Sequence, residues 1–208
     1  MPSPINWIRR IHYYLGLYLL CFLLLFSFTG LLLNHPKWTF AEFWQNRQQS
    51  SSSRPIQPPG QGSDLAQARD IMRQLGIAGE IEWTRTRADA SRLDFRVSRP
   101  GHILEIKTDL RQNRAEIQRI DLNGWGVARI LHTFSGVRLA DPLNNRDWYM
   151  TTIWALSMDA LAAGLILMVL TSLYMWWVLK PKRRFGLIVL FAGTLACGLF
   201  VAGLRWLA

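Results

Sequence analysis

Cysteine and histidine are scarce in this 208-residue chain, at two and four copies, and 14 carboxylates stand against 24 Lys and Arg. Two cysteines cannot make a disulfide framework. Cys21 and Cys197 both fall within apolar runs, where a thiol reads as a small packing group rather than a redox centre. The chain also lacks a Gly-rich phosphate loop, a closely spaced His/Cys/carboxylate metal set and a Ser nucleophile motif. These absences argue against an autonomous hydrolase or nucleotide enzyme, name no catalytic residue and no metal ligand, and leave open whether the chain is an enzyme.

Charge itself is missing from long stretches. Residues 11–33 form a run of 23 without a formal charge, and residues 185–204 form another of 20. Each is long enough to cross a hydrocarbon core of about 30 Å. A third run, residues 154–178, is interrupted only by Asp159 and is bracketed by Trp148, Tyr149 and Trp154 on one side and Trp176 and Trp177 on the other, as aromatic belts are. A soluble protein is thereby excluded, and the lipid bilayer is the first expected partner.

A large share of the excess behind the formal charge of +10 clusters beside these spans, which suits lipid headgroups better than nucleic acid. Arg9 and Arg10 precede span one, and Lys180-Pro181-Lys182-Arg183-Arg184 joins spans two and three. By the positive-inside rule both sit in the cytoplasm. The expected organisation is a cytoplasmic N-terminus (1–10), a first transmembrane helix (11–33), an interfacial stretch and Ser/Pro/Gly linker (34–62), an exported domain (63–124) and an amphipathic interfacial segment (125–150). A second transmembrane helix (151–179), a basic cytoplasmic loop (180–184) and a third transmembrane helix (185–207) follow.

Within the exported part, Leu65, Ala68, Ile71, Met72 and Leu75 keep helical spacing between Ser63 as N-cap and Gly76 as stop. Strand-like alternation follows around Ile81 and Trp83, Leu93 to Val97, Leu104 and Ile106, and 115–122, with turns at Asp89 to Ser91, Pro100-Gly101 and Asp109 to Asn113. One helix on a three- or four-stranded antiparallel meander is expected, an α+β domain beside three transmembrane helices.

Three pieces of sequence now bear on family. Arg10-Ile11-His12, Leu15-Gly16-Leu17 and Thr29-Gly30-Leu31-Leu32-Leu33-Asn34-His35 frame span one; the helix and strands of 63–124 end in Asp121-Leu122-Asn123-Gly124. Leu131-His132-Thr133-Phe134-Ser135-Gly136 then leads to Met158-Asp159 and to Thr171-Ser172-Leu173-Tyr174-Met175-Trp176-Trp177. In these the chain resembles the PepSY-associated transmembrane family of bacterial inner-membrane proteins. The resemblance implies a PepSY-like domain in the periplasm acting as a binding or regulatory module, accessory to an envelope process. It also implies an alternative, since some larger members are haem-containing reductases for ferric siderophores.

The polar residues near the spans are the candidates for either role. His12 and His35 are 23 residues apart on one helix, so about 34 Å separates them, and they cannot grip one iron. Spans two and three hold no histidine, which counts against a haem b within one protomer; no cofactor is expected from the residues alone. If haem is bound, His12, His35 and His132 are its candidate ligands. His132 otherwise reads as headgroup-facing, opposite the apolar face of Val127, Ile130, Leu131 and Phe134. His12 shares a helix stripe with Gly16, Leu20, Leu23, Ser27, Gly30 and Asn34, which suits an interhelical contact. Asp159 is expected to pair with Arg205, or else to serve as a proton relay or substrate site. Small-xxx-small pairs in span three, Ala192/Ala196, Gly193/Cys197 and Gly198/Ala202, call for a tight bundle, a partner helix or a homo-oligomer.

Overall fold

The computed structural model describes residues 4–86, 91–136, 145–178 and 183–206. The turn expected at Asp89 to Ser91 and the basic loop at 180–184 lie largely outside them. Three helices are long and apolar enough to cross a membrane: α1 (Pro4–Asn34), α4 (Tyr149–Val178) and α5 (Arg183–Trp206). Between α1 and α4 come a 3₁₀ turn (Thr39–Ala41), β1 (Gln48–Pro55), α2 (Asp64–Leu75), β2 (Glu80–Thr86), β3 (Leu93–Arg99), β4 (His102–Asp109), β5 (Arg114–Asp121) and α3 (Gly124–Thr133). The chain is a membrane protein with a separate α+β part. It divides into two compact units, 1–22 with 160–208, and 23–159.

In the second unit the strands form one antiparallel sheet in the order β1-β5-β4-β3-β2. Burial alternates along β3, where Leu93, Phe95 and Val97 face inward, because successive side chains point to opposite faces. Helix α2 covers that face with Ala68, Ile71, Met72 and Leu75, joined by Ile106, Ala115 and Ile117. Its ends form as the sequence predicts: Ser63 Oγ accepts the Ala66 N–H at 3.3 Å, and Gly76 turns left-handed at φ 65° while the Ile77 N–H reaches Met72 O. At the β3–β4 turn Pro100 fixes one φ and Gly101 takes φ 90°, as a type II turn demands.

The sheet has five strands rather than the three or four expected. The additional strand is β1, Gln-Gln-Ser-Ser-Ser-Ser-Arg-Pro, placed in the linker by composition; it pairs with β5 from Gln48↔Asp121 to Pro55↔Arg114. Every residue of β1 is exposed. Backbone hydrogen bonding, which composition does not report, makes it a strand. Ile56, just beyond it, enters the core.

In the first unit, α1 and α4 approach through small side chains. Leu19 is buried over Gly164, and Gly16 faces the Met168 methyl. Helix α5 buries no residue among those described. Of the small residues expected at a contact there, Gly193 and Gly198 have room for a Cβ, with nothing within 4 Å in this chain.

Candidate functional site

In the second unit, the sheet and α3 hold the adjoining ends of two long helices with opposite charges. The C-terminal end of α1 exposes carbonyls and carries the negative end of the helix dipole. There Arg129, only 6% exposed, extends from α3 over the Phe43 ring at 4.9 Å, and its Nη2 donates a long 3.5 Å bond to His35 O. Asn123 caps α3, accepting the Gly126 N–H at 3.1 Å, while its amide donates to Glu42 O. The buried side of α3 is therefore Gly126 and Arg129, not the apolar face read from its sequence.

Leading into α4, whose dipole is positive at this end, the carboxylate is Glu80, 2% exposed. It accepts the backbone N–H groups of Asp147 at 2.9 Å and Trp148 at 2.8 Å. Asp147 answers in kind, accepting from Ile81 N–H at 3.3 Å and from Arg69 of α2. Burial pushes the Glu80 carboxyl above its ordinary range against these backbone bonds, and the Asp147 charge pushes the same way. Gly136, at φ 67°, passes close by; a Cβ there would lie 2.6 Å from the Thr151 methyl and 3.0 Å from Glu80 Cγ.

The histidines are held in two ways. The Thr29 hydroxyl commits its proton to Leu25 O at 2.8 Å, so the 2.8 Å bond between Thr29 Oγ1 and His132 Nδ1 has the imidazole as donor. In the neutral ring Nε2 is then the bare nitrogen. His132 is half-buried, 5.1 Å from the Phe26 ring. In the first unit the same logic recurs: Thr171 Oγ1 donates to Leu167 O at 2.8 Å and accepts from His12 Nδ1 at 2.9 Å. His35 is exposed and stacks on Trp38 at 4.5 Å. His102 bonds Asp121, which Arg119 also holds at 2.8 Å. Burial pushes the Asp121 carboxyl up, but the bonds from His102 and Arg119 outweigh it and hold it below the usual carboxylate range.

Asp159 and Arg205 are both exposed, the first closing the second unit and the second in the last turn of α5. If they pair in the bilayer, Asp159→Asn and Arg205→Leu should each destabilise the detergent-solubilised protein, and the double variant should recover part of the loss. A coupling of about 0.6 kcal/mol is expected, the low end for intramembrane polar contacts. Strictly additive melting shifts would show that no pair forms.

Among the described residues no three of His, Cys, Asp and Glu converge as a metal set. No family model matches the chain, and neither does any curated protein or solved structure. Sequence reasoning did not single out Glu80 or Asp147, whose signal is absent locally. Thr29 and Thr171 are hydroxyls within apolar runs, and each lies in a motif already noted.

Proposed function

We propose that the protein is a PepSY-type component of the bacterial inner membrane, with a cytoplasmic N-terminus and the sheet domain in the periplasm. It serves there as a binding or regulatory module accessory to an envelope process. The paired contacts beside the helix ends carry this reading: Glu80 on the two residues that lead into α4 and Arg129 on the carbonyl that follows α1. A ligand that shifts β2 or α3 alters the charge at a helix end, so occupancy of the sheet domain is felt by helices that cross the bilayer.

Two experiments test it. Alkaline phosphatase joined after Asp121 or Ala208 should be active and joined after Arg184 silent; activity at Arg184 would refute the orientation. The purified, detergent-solubilised protein should be colourless. A Soret band would instead support the alternative, a haem-dependent reductase component of ferric-siderophore uptake.

One observation favours that alternative enough to keep it. At His12 and His132 a threonine oxygen accepts the Nδ1–H hydrogen bond and leaves Nε2 without a proton in the neutral ring, the second-shell arrangement that orients ligating imidazoles. Each site supplies one of the two axial ligands that haem b commonly takes, so half of the fit is met and a second copy or a partner must bring the other. Bound there, haem would carry single electrons. On this reading Thr29→Val should lower the intensity of the Soret band and His132→Asn should remove one haem equivalent, whereas in a colourless protein both variants change only stability.

A further inference from the structure

Within the first unit, α4 and α5 touch near Gly186 and share a groove. They meet where the Trp176 indole lies on Gly186, a position at which any Cβ would overlap the ring. Beyond it opens a groove of about 580 Å³, lined by Leu165, Met168, Val169 and Leu173 of α4 and by Val189 and Leu190 of α5. That volume lies within the range of about 300–1,000 Å³ typical of sites that enclose a small molecule, and the walls are almost wholly apolar.

Two cations stand within one turn of Gly186, one of the groove's lining residues: Arg183 and Arg184. Arg183 is held in place there: its Nε donates to Trp177 O at 2.6 Å and its guanidinium lies over the Trp177 ring at 4.7 Å. Arg184 beside it is exposed. The first turn of α5 contains no acidic residue, and its amide end adds the positive end of a 24-residue helix dipole. Among the described residues no carboxylate pairs with either arginine.

From this juxtaposition we infer that the groove binds an anionic phospholipid, an acyl chain lying along the apolar walls and the phosphate meeting Arg183, Arg184 and the first turn of α5. A transmembrane helix from a second copy would satisfy the walls but bring no anion to the arginines. A zwitterionic lipid would bring a phosphate together with a cation that opposes them. The inference needs only that α4 and α5 lie in a membrane, so it stands apart from the proposed function and from its orientation.

The test is thermal unfolding of the full-length detergent-solubilised protein titrated with phosphatidylglycerol, phosphatidylcholine of the same acyl chains, or inorganic phosphate. Phosphatidylglycerol should stabilise with half-saturation at least about tenfold lower than phosphatidylcholine, and inorganic phosphate should do nothing. Arg184→Gln should weaken the phosphatidylglycerol effect roughly fivefold and leave phosphatidylcholine unchanged. Val189→Trp, which fills the groove, should abolish both responses; Leu190→Trp serves the same purpose should Val189→Trp fail to give a monodisperse protein. Equal responses to the two lipids, stabilisation by inorganic phosphate alone, an unaltered preference in Arg184→Gln, or stabilisation that follows protein concentration rather than lipid would each overturn the assignment.

Discussion

Glu80→Ala should detach the sheet from the start of α4 and lower the stability of the second unit by about 2–4 kcal/mol, whereas Glu80→Gln should be tolerated. Alanine leaves the half-buried N–H groups of Asp147 and Trp148 without their acceptor, and each such orphan costs about 1–3 kcal/mol. Glutamine keeps an acceptor oxygen and removes a charge that burial disfavours. The pH dependence has a definite sign. Because the Glu80 carboxyl is raised in the fold, its contribution is fully present below the unfolded value of 4.5 and is lost as pH rises through the folded value. Asp121, held low, acts oppositely: its contribution is present above 3.8 and is lost as pH falls through its folded value. As pH rises above 4.5 the Glu80 trend should therefore be the one seen, and Glu80→Gln should flatten it. Urea melts and hydrogen exchange at residues 147–151 measure both effects. A glutamine variant as damaged as the alanine one would mean that charge, not hydrogen bonding, holds this contact.

The second large effect is steric. At Gly164 a Cβ would come within 2.8 Å of Leu19 Cδ1 and 3.6 Å of Leu15 Cδ1. Rotation of the Leu19 methyl accommodates alanine, but Gly164→Leu has no such escape and should destabilise the first unit by about 1–3 kcal/mol through overpacking. It should also part His12 from Thr171, which lies two turns further along α4. Gly16→Leu should be milder, because its nearest neighbour is the flexible end of Met168 at 3.5 Å. Melting temperatures rank the two variants, and adding Leu19→Ala to Gly164→Leu should restore part of the loss. Equal damage from the two glycine substitutions would show that this contact is not where the helices lock.

The spans are legible in sequence because bilayer thickness demands some twenty apolar residues in a row, and nothing else in a protein does. Helix α2 is equally plain, since its N-cap, apolar stripe and left-handed glycine are all local. Strand β1 is not, for an edge strand exposed on both faces needs no apolar alternation. The inward side of α3 is misread for a related reason. Amphipathicity assumes an apolar neighbour, but α3 lies against the carbonyl end of α1, and what suits that neighbour is the guanidinium of Arg129. Glu80 carries no sequence signal at all, as its partners are 67 and 68 residues away. The stripe along α1 is half right: His12 and Gly16 do face α4, while Gly30 lies against the His132 ring.

Strand β1 also dictates the order in which the sheet can be completed. Among the described residues it is the first strand to emerge during synthesis, yet its one partner, β5, is the last, so Gln48–Pro55 stays unpaired until Arg114–Asp121 has followed. A hydrophobic segment left waiting with a bare edge would be an aggregation hazard. Four serines and two glutamines remove that hazard, since such a strand gains little by pairing with a copy of itself. Closure of the sheet is then a long-range event that waits for the last of these strands.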